Sequence, residues 1–245
     1  MSIKISGFQV GASFSLPQYG SLPTYYAIGL GGQHGGTGLI QVSYDAPANS
    51  TSLVFTASDA GGNNSDAYIQ GYNSLFSQYN GGAQYWEYVN ISSKDNASSV
   101  TNEIATSTGF VQGNFIAIVE TLKGVSSTPT LVDSFGGQAS NGNTCSFNIT
   151  VNDGEIIVLA TGVEIGTPQV TSMVTPGLTW VRKSSKSQIS SFSNVDVQTL
   201  EIWYAINNSG SSIADTVTIT YNGYYDDQAA SAVTYSGVDL NSPWA

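Results

Sequence analysis

Cysteine occurs once in this 245-residue chain, as Cys145, and histidine once, as His34. A single thiol closes no intrachain disulfide, and one thiol with one imidazole is too small a ligand set for a zinc or other transition-metal site. Any Ser-His-Asp arrangement would have to be built on His34, and no Gly-x-Ser-x-Gly elbow accompanies it. Basic residues are nearly as scarce: six Lys and Arg stand against seventeen Asp and Glu, a formal net charge of −11. Nucleic-acid binding needs a basic footprint, so no nucleic-acid partner is expected. The one cluster, Arg182, Lys183 and Lys186, reads as the solvated face of a hairpin. No apolar run approaches the roughly 20 residues of a membrane-crossing helix. The first ten residues alternate like a strand and lack the apolar segment of a secretory signal, which points to export by another route or to assembly inside a cell. Sustained helical spacing is absent too, and a helix candidate such as 73–76 amounts to one turn.

What fills the space is glycine, of which there are 27, with serine, threonine and asparagine, while charged residues make up only 9%. Globular chains average roughly 25% charged. The composition is that of strands and turns. Thr216-Val217-Thr218-Ile219-Thr220-Tyr221 alternates with period 2, as a strand with one wet and one dry face does. Ser146 to Val151 alternates likewise, with Phe147, Ile149 and Val151 inward and Cys145 buried and inert beside them. Residues 156–160 are wholly apolar, the pattern of a central strand buried on both faces. Further strands are predicted at 39–44, 53–57, 68–72, 85–91, 115–119, 170–173, 180–183, 200–206 and 230–235, parted by Gly, Asn and Pro clusters. The fold class is all-β. Gly31-Gly32-Gln33-His34-Gly35-Gly36 is followed by no Lys-Ser/Thr, so it reads as a turning surface loop and not as a phosphate cradle.

The chain says much the same thing twice. Trp86 and Asn90 match Trp203 and Asn207, each asparagine beginning an Asn-x-Ser. Each copy ends on Gly-Val and, soon after, a proline: Gly124-Val125 with Pro129, and Gly237-Val238 with Pro243. Ser134 to Ser140 loosely echoes Ser6 to Ser13. The duplication predicts two tandem antiparallel β-sandwich domains, 1–127 and 128–245, each of about 120 residues and large enough for its own core. Seven or eight strands per unit is the count at which jelly-roll sandwiches manage their edges.

Gly177-Leu178-Thr179-Trp180-Val181, then Leu200-Glu201-Ile202-Trp203-Tyr204-Ala205, the Thr-alternating strand and the closing Tyr235-Ser236-Gly237-Val238-Asp239 form one pattern. It resembles the jelly-roll-like β-sandwich repeats of virion and surface structural proteins of phages and archaeal viruses. The likeness spans roughly 128–243, and the first unit shares it in outline without a counterpart to Gly177 to Trp180. It implies a structural or adhesive role and brings no catalytic motif.

Few residues offer chemistry. Asp226 and Asp227 are the candidate ligands of a Ca²⁺ ion, the only cofactor considered, because calcium takes oxygen ligands in loops. Glu87 with Asp226 would be the carboxyl pair of a polysaccharide-active enzyme. Tyr25, Tyr26, Tyr85, Trp86, Tyr224 and Tyr225 could stack on sugar rings, although aromatic residues are equally at home in cores and subunit interfaces. Asn49, Asn63, Asn90, Asn96, Asn148 and Asn207 begin glycosylation acceptor patterns, and Asn148 falls on the outward face of its strand. The reading is a non-enzymatic structural protein of a virion or extracellular assembly. Its partners are copies of itself and other assembly subunits, and the N-terminal strand, Ser2 to Val10, is a candidate donor to a neighbour's open sheet edge. The alternative is a surface adhesin that binds glycans.

Overall fold

The computed structural model describes residues 25–30, 40–59, 68–81, 86–108, 114–163, 169–189 and 197–245. They form antiparallel strands and no helix: β1 (Tyr25–Leu30), β2 (Ile40–Ala46), β3 (Ser50–Asp59), β4 (Tyr68–Ile69), β5 (Asn73–Gly81), β6 (Trp86–Asn96), β7 (Val100–Thr108), β8 (Asn114–Lys123), β9 (Thr130–Val151), β10 (Glu155–Val163), β11 (Val170–Val174), β12 (Val181–Ile189), β13 (Val197–Asn207) and β14 (Ile213–Ser236). The helical turn considered at 73–76 is instead the start of β5, drawn into the sheet by pairing with β6.

The first half makes two sheets, ordered β1-β8-β3-β6-β5 and β2-β7-β4. The second half makes one large sheet, β11-β14-β10-β13-β12, with β9 also paired to β14. β9 and β14 are long enough to serve twice. Residues 130–139 of β9 lie along 228–236 of β14, beside β10, whereas 144–151 lie along 213–220, beside β11. The register shifts where the pair turns the corner, between Thr220 and Tyr225. Tyr221 to Tyr225 read in the sequence as a turn between two strands, and in the structure β14 runs through it as one strand.

Four β layers result, separated by three apolar interlayers. Val42, Tyr44 and Ala46 of β2 and Ala105 of β7 meet Val54, Ala117 and Val119 of the neighbouring sheet. The other face of that sheet, through Leu53, Phe55, Ile91, Ile116 and Ile118, meets Ile156, Val158, Leu200, Ile202, Val233 and Tyr235 of the second half. Beyond it, Ile157, Leu159, Ala230 and Ala232 face Phe147, Ile149, Val217 and Ile219 across the folded hairpin. β10 is therefore buried along its whole length because its alternate residues enter two different cores. The expectation of a separate core for each half holds only for the two outer interlayers; the middle one is shared.

The ladders repeat with the duplication. β1-β8-β3-β6-β5 recurs as β9-β14-β10-β13-β12, and β2-β7-β4 as the second part of β9, the first part of β14, and β11. Even a β-bulge recurs: Leu75 interrupts the register of β5 on β6, and Lys183 interrupts that of β12 on β13. Registers also correct two sequence matches. Asn96, not Asn90, is the counterpart of Asn207, since Asn96 stands opposite Ser50 at the start of β3 and Asn207 opposite Glu155 at the start of β10. The counterpart of the strand at 135–140 is β1, since Tyr25 stands opposite Val119 as Phe135 stands opposite Ala232. Ser6 to Ser13 lie outside the described residues.

Cys145 is buried, and burial pushes its thiol up to about 12. We expect no reaction with a thiol reagent at pH 8 in the folded protein and full reaction in denaturant. The sign of the pH dependence follows. The unfolded thiol ionises near its ordinary value of 9.0, so stability is at its full value below that pH and declines as pH rises towards about 12. Half-buried Tyr72 and buried Tyr235, both raised mainly by desolvation, act in the same direction. A thermal melt series from pH 8 to 11 checks this.

Candidate functional site

The chemistry of the described residues gathers at the seam between the halves. Glu120 of β8 shares the seam-facing side of its strand with Ile116, Ile118 and Leu122. Across from it, the bulge in β12 turns Lys183 inward, and a bulge is a means of re-aiming a side chain. Lys183 Nζ lies 3.3 Å from Glu120 Oε2, and the two side chains are 9% and 2% exposed. Lys186, on the same strand, is held below the usual lysine range by desolvation, partly offset by the nearby Glu120 charge. The solvated basic face expected at Arg182, Lys183 and Lys186 is thus corrected: Lys183 is spent inside the fold. Arg182 also turns to an acid, Glu201, at 3.7 Å, and its guanidinium lies 5.9 Å from the centre of the Trp203 ring.

Trp244 closes the same seam. It stands edge-on to Tyr204, with ring centres 5.3 Å apart, and Lys183 Nζ lies 5.4 Å from its centre. The segment that carries it, Val238 to Ala245, folds back from the second half onto the end of β8 in the first. Asp239 N donates to Lys123 O (2.9 Å), Lys123 N to Pro243 O (2.8 Å), and Ala245 N to Thr121 O (2.9 Å). Lys123 and Asp239 also pair through their side chains at 3.3 Å, which holds the Asp239 carboxyl below its ordinary range. The turn into this segment is Gly237, at φ +73° with open space around it, a conformation that favours glycine. The two ends that looked alike in sequence touch: Gly124 bridges Val238, and Val125 N donates to Gly237 O (3.1 Å).

A second polar group lies at one end of the outer interlayer of the second half. Buried Glu201 accepts from Val170 N (3.1 Å) and Trp203 Nε1 (2.9 Å). It packs with Thr161, Val163, Val170, Thr199 and Tyr221 around a crevice too narrow to admit a water molecule. Thr161 and Tyr221 bond to each other through their hydroxyls. These side chains satisfy one another, so the group secures the end of the interlayer.

The residues picked out from sequence are scattered. Tyr25 and Tyr26 lie in β1, Trp86 and Glu87 in β6, and Tyr224, Tyr225, Asp226 and Asp227 in the corner of β14, with their side chains outside the described residues. Tyr85, His34, Asn63 and Ser2 to Val10 also lie outside them. Among the described residues, no group of three or more His, Cys, Asp or Glu could hold a metal ion. No described helix is long and apolar enough to cross a membrane. Asn49 and Asn148 are exposed. Asn90, Asn96 and Asn207 are buried, which corrects their reading as surface acceptors. Asn207 Nδ2 is committed to Val151 O and Ser211 O, and Asn96 Nδ2 to the hydroxyls of Ser50 and Ser52. Glu120 and Trp244 were not singled out by their sequence context, and Lys183 was read only as part of a solvated face; the signal that could have found Trp244 is a large aromatic just past a repeat-closing Gly-Val. No protein-family model, curated protein or solved structure matches this chain.

Proposed function

We propose that this chain is a non-enzymatic structural subunit of a virion or another extracellular assembly, made of two jelly-roll-like sandwiches, 1–127 and 128–245. The observation that supports this best is the pairing pattern. β1 pairs β8, β2 pairs β7 and β3 pairs β6, as expected when one long antiparallel hairpin is rolled into a sandwich, and β9 with β14 is the matching two-stranded ribbon running through both layers of the second half. Jelly rolls of this kind serve as capsid and lectin domains. Duplicating one and fusing the copies through a common core gives a stiff block with hydroxyl-rich outer strands.

Copies would join through strand edges, where backbone pairing gives affinity and side-chain fit gives register. Among the described residues, β9 is an edge along its whole length, since β14 is its only partner strand. Ser2 to Val10 is the proposed donor. Light scattering over a concentration series tests the reading: the full chain is expected to grow in mass, and a chain lacking Met1 to Val10 to stay small. A constant monomer mass for the full chain would contradict assembly; normal growth of the truncated chain would exclude donation by this strand alone.

A further inference from the structure

We propose that Val238 to Ala245 is an exchangeable segment, seated in the closed form on the end of β8 and in the seam between the chain's own two halves, and able to occupy the same seat on a second copy. This rests on the assembly reading and names one joint of it.

The argument is a comparison of the two halves. In the second half, one uninterrupted strand runs along the outer side of β14: Thr130 faces Ser236, Leu131 faces Tyr235, Phe135 faces Ala232 and Ser140 faces Asp227. In the first half the corresponding side of β8 is covered by two separate pieces. Pro243 and Trp244 lie along Lys123 and Leu122, in the places that Thr130 and Leu131 take in the other half. Tyr25 to Leu30 then continue along Val119 to Asn114, in the places of Phe135 to Ser140. One strand position is therefore assembled from two segments far apart in the chain. In β9, Val132, Asp133 and Ser134 separate the corresponding stretches.

Gly124 and Gly237 are equivalent, yet the chain leaves them to different ends. After Gly124 it proceeds into β9 and so into the next sandwich. After Gly237 the same kind of segment reaches the first sandwich through backbone bonds at Lys123 and Thr121, while its Trp244 ring rests on Tyr204 and Lys183 of the second. Nothing in the contact requires that these residues belong to the same copy. The seat is specific: backbone bonds at Lys123 and Thr121, the Lys123–Asp239 pair, and the Trp244 ring between Tyr204 and Lys183. Gly237 is the natural hinge, and exchange of an identical element between protomers is a low-cost route to linked copies. If each copy lends its tail to the next, the link is head to tail and propagates into a ring or filament.

Two single variants of the full chain, Lys123→Cys and Asp239→Cys, test this, because neither can close the contact within one molecule. The double variant oxidised at low concentration serves as the control that the geometry admits a disulfide, and buried Cys145 is a poor competitor. After co-incubation at high concentration and oxidation, the mixture is expected to give a covalent heterodimer, joined through the two introduced thiols, at least tenfold above the homodimers of either variant alone. Adding Trp244→Ala to the Asp239→Cys chain is expected to reduce that yield several-fold. No excess of heterodimer, in a mixture whose mass still grows with concentration, overturns tail exchange and spares the assembly reading. No excess in a mixture that stays monomeric overturns both.

Discussion

Replacing Glu120 by alanine is expected to destabilise the fold by about 3–5 kcal/mol, the usual cost of breaking a buried ion pair. The substitution leaves the Lys183 ammonium in an apolar seam without its counter-charge, and Lys183→Leu does the converse to Glu120. The double replacement Glu120→Val with Lys183→Leu is expected to return stability to within about 1 kcal/mol of the natural chain or above it. Removing both charges of a buried pair for well-packed apolar groups is often neutral or stabilising. The molecule carries its own precedent. The bulge residue equivalent to Lys183 is Leu75, which packs on the shared core, and the residue equivalent to Glu120 is the buried core residue Val233. The seam thus holds an ion pair at one of these equivalent positions and aliphatic residues at the other. Urea midpoints of the two single variants and the double one give the result. Moderate salt should change them little, because a pair this buried is poorly screened.

The second large effect is at Trp244. Its side chain is almost wholly enclosed, and burying ~150–250 Å² of an aromatic at ~25 cal/mol per Å² is worth ~4–6 kcal/mol. Truncation to alanine is expected to cost about 3–5 kcal/mol. That figure is an upper bound, because the segment can instead detach at Gly237. The accompanying loss of hydrogen-exchange protection at Asp239 and Ala245, whose amides donate to Lys123 O and Thr121 O, distinguishes detachment from a general loss of packing. Trp244→Phe is the informative control. Trp244 Nε1 has no hydrogen-bond partner among the described residues, so the phenylalanine variant gives up no bond and should lose less than half as much. A melting temperature lowered by alanine and phenylalanine alike would argue against an aromatic anchor.

Much of this fold was legible in single strands. The alternation of 145–151 and 216–221 and the apolar run at 156–160 report burial within one strand, which is a local property, and each expectation matches the structure. The matching ends Gly124-Val125 and Gly237-Val238 were legible for a related reason: both close the same supersecondary unit and meet each other. What the sequence concealed is relational. Trp86 and Trp203 share a spacing to the following asparagine, yet registers put Ser92 of β6, not Trp86, in the place of Trp203. In strands made of Ser, Thr and Asn, a shift by an even number of residues leaves the polar pattern unchanged, so alignment by motif loses its footing. The inward turn of Lys183 depends on a bulge, and no neighbouring residue in β12 announces one. Glu120 looks like any polar residue of an edge until the second half is packed over it. The candidate site was hidden because it exists only between the halves.

Electron microscopy of the purified full chain at rising concentration bears most directly on the role proposed here. Fields of rings, shells or filaments with a regular subunit repeat are the result expected of building material. Dispersed single molecules of unchanging size at every concentration would contradict it.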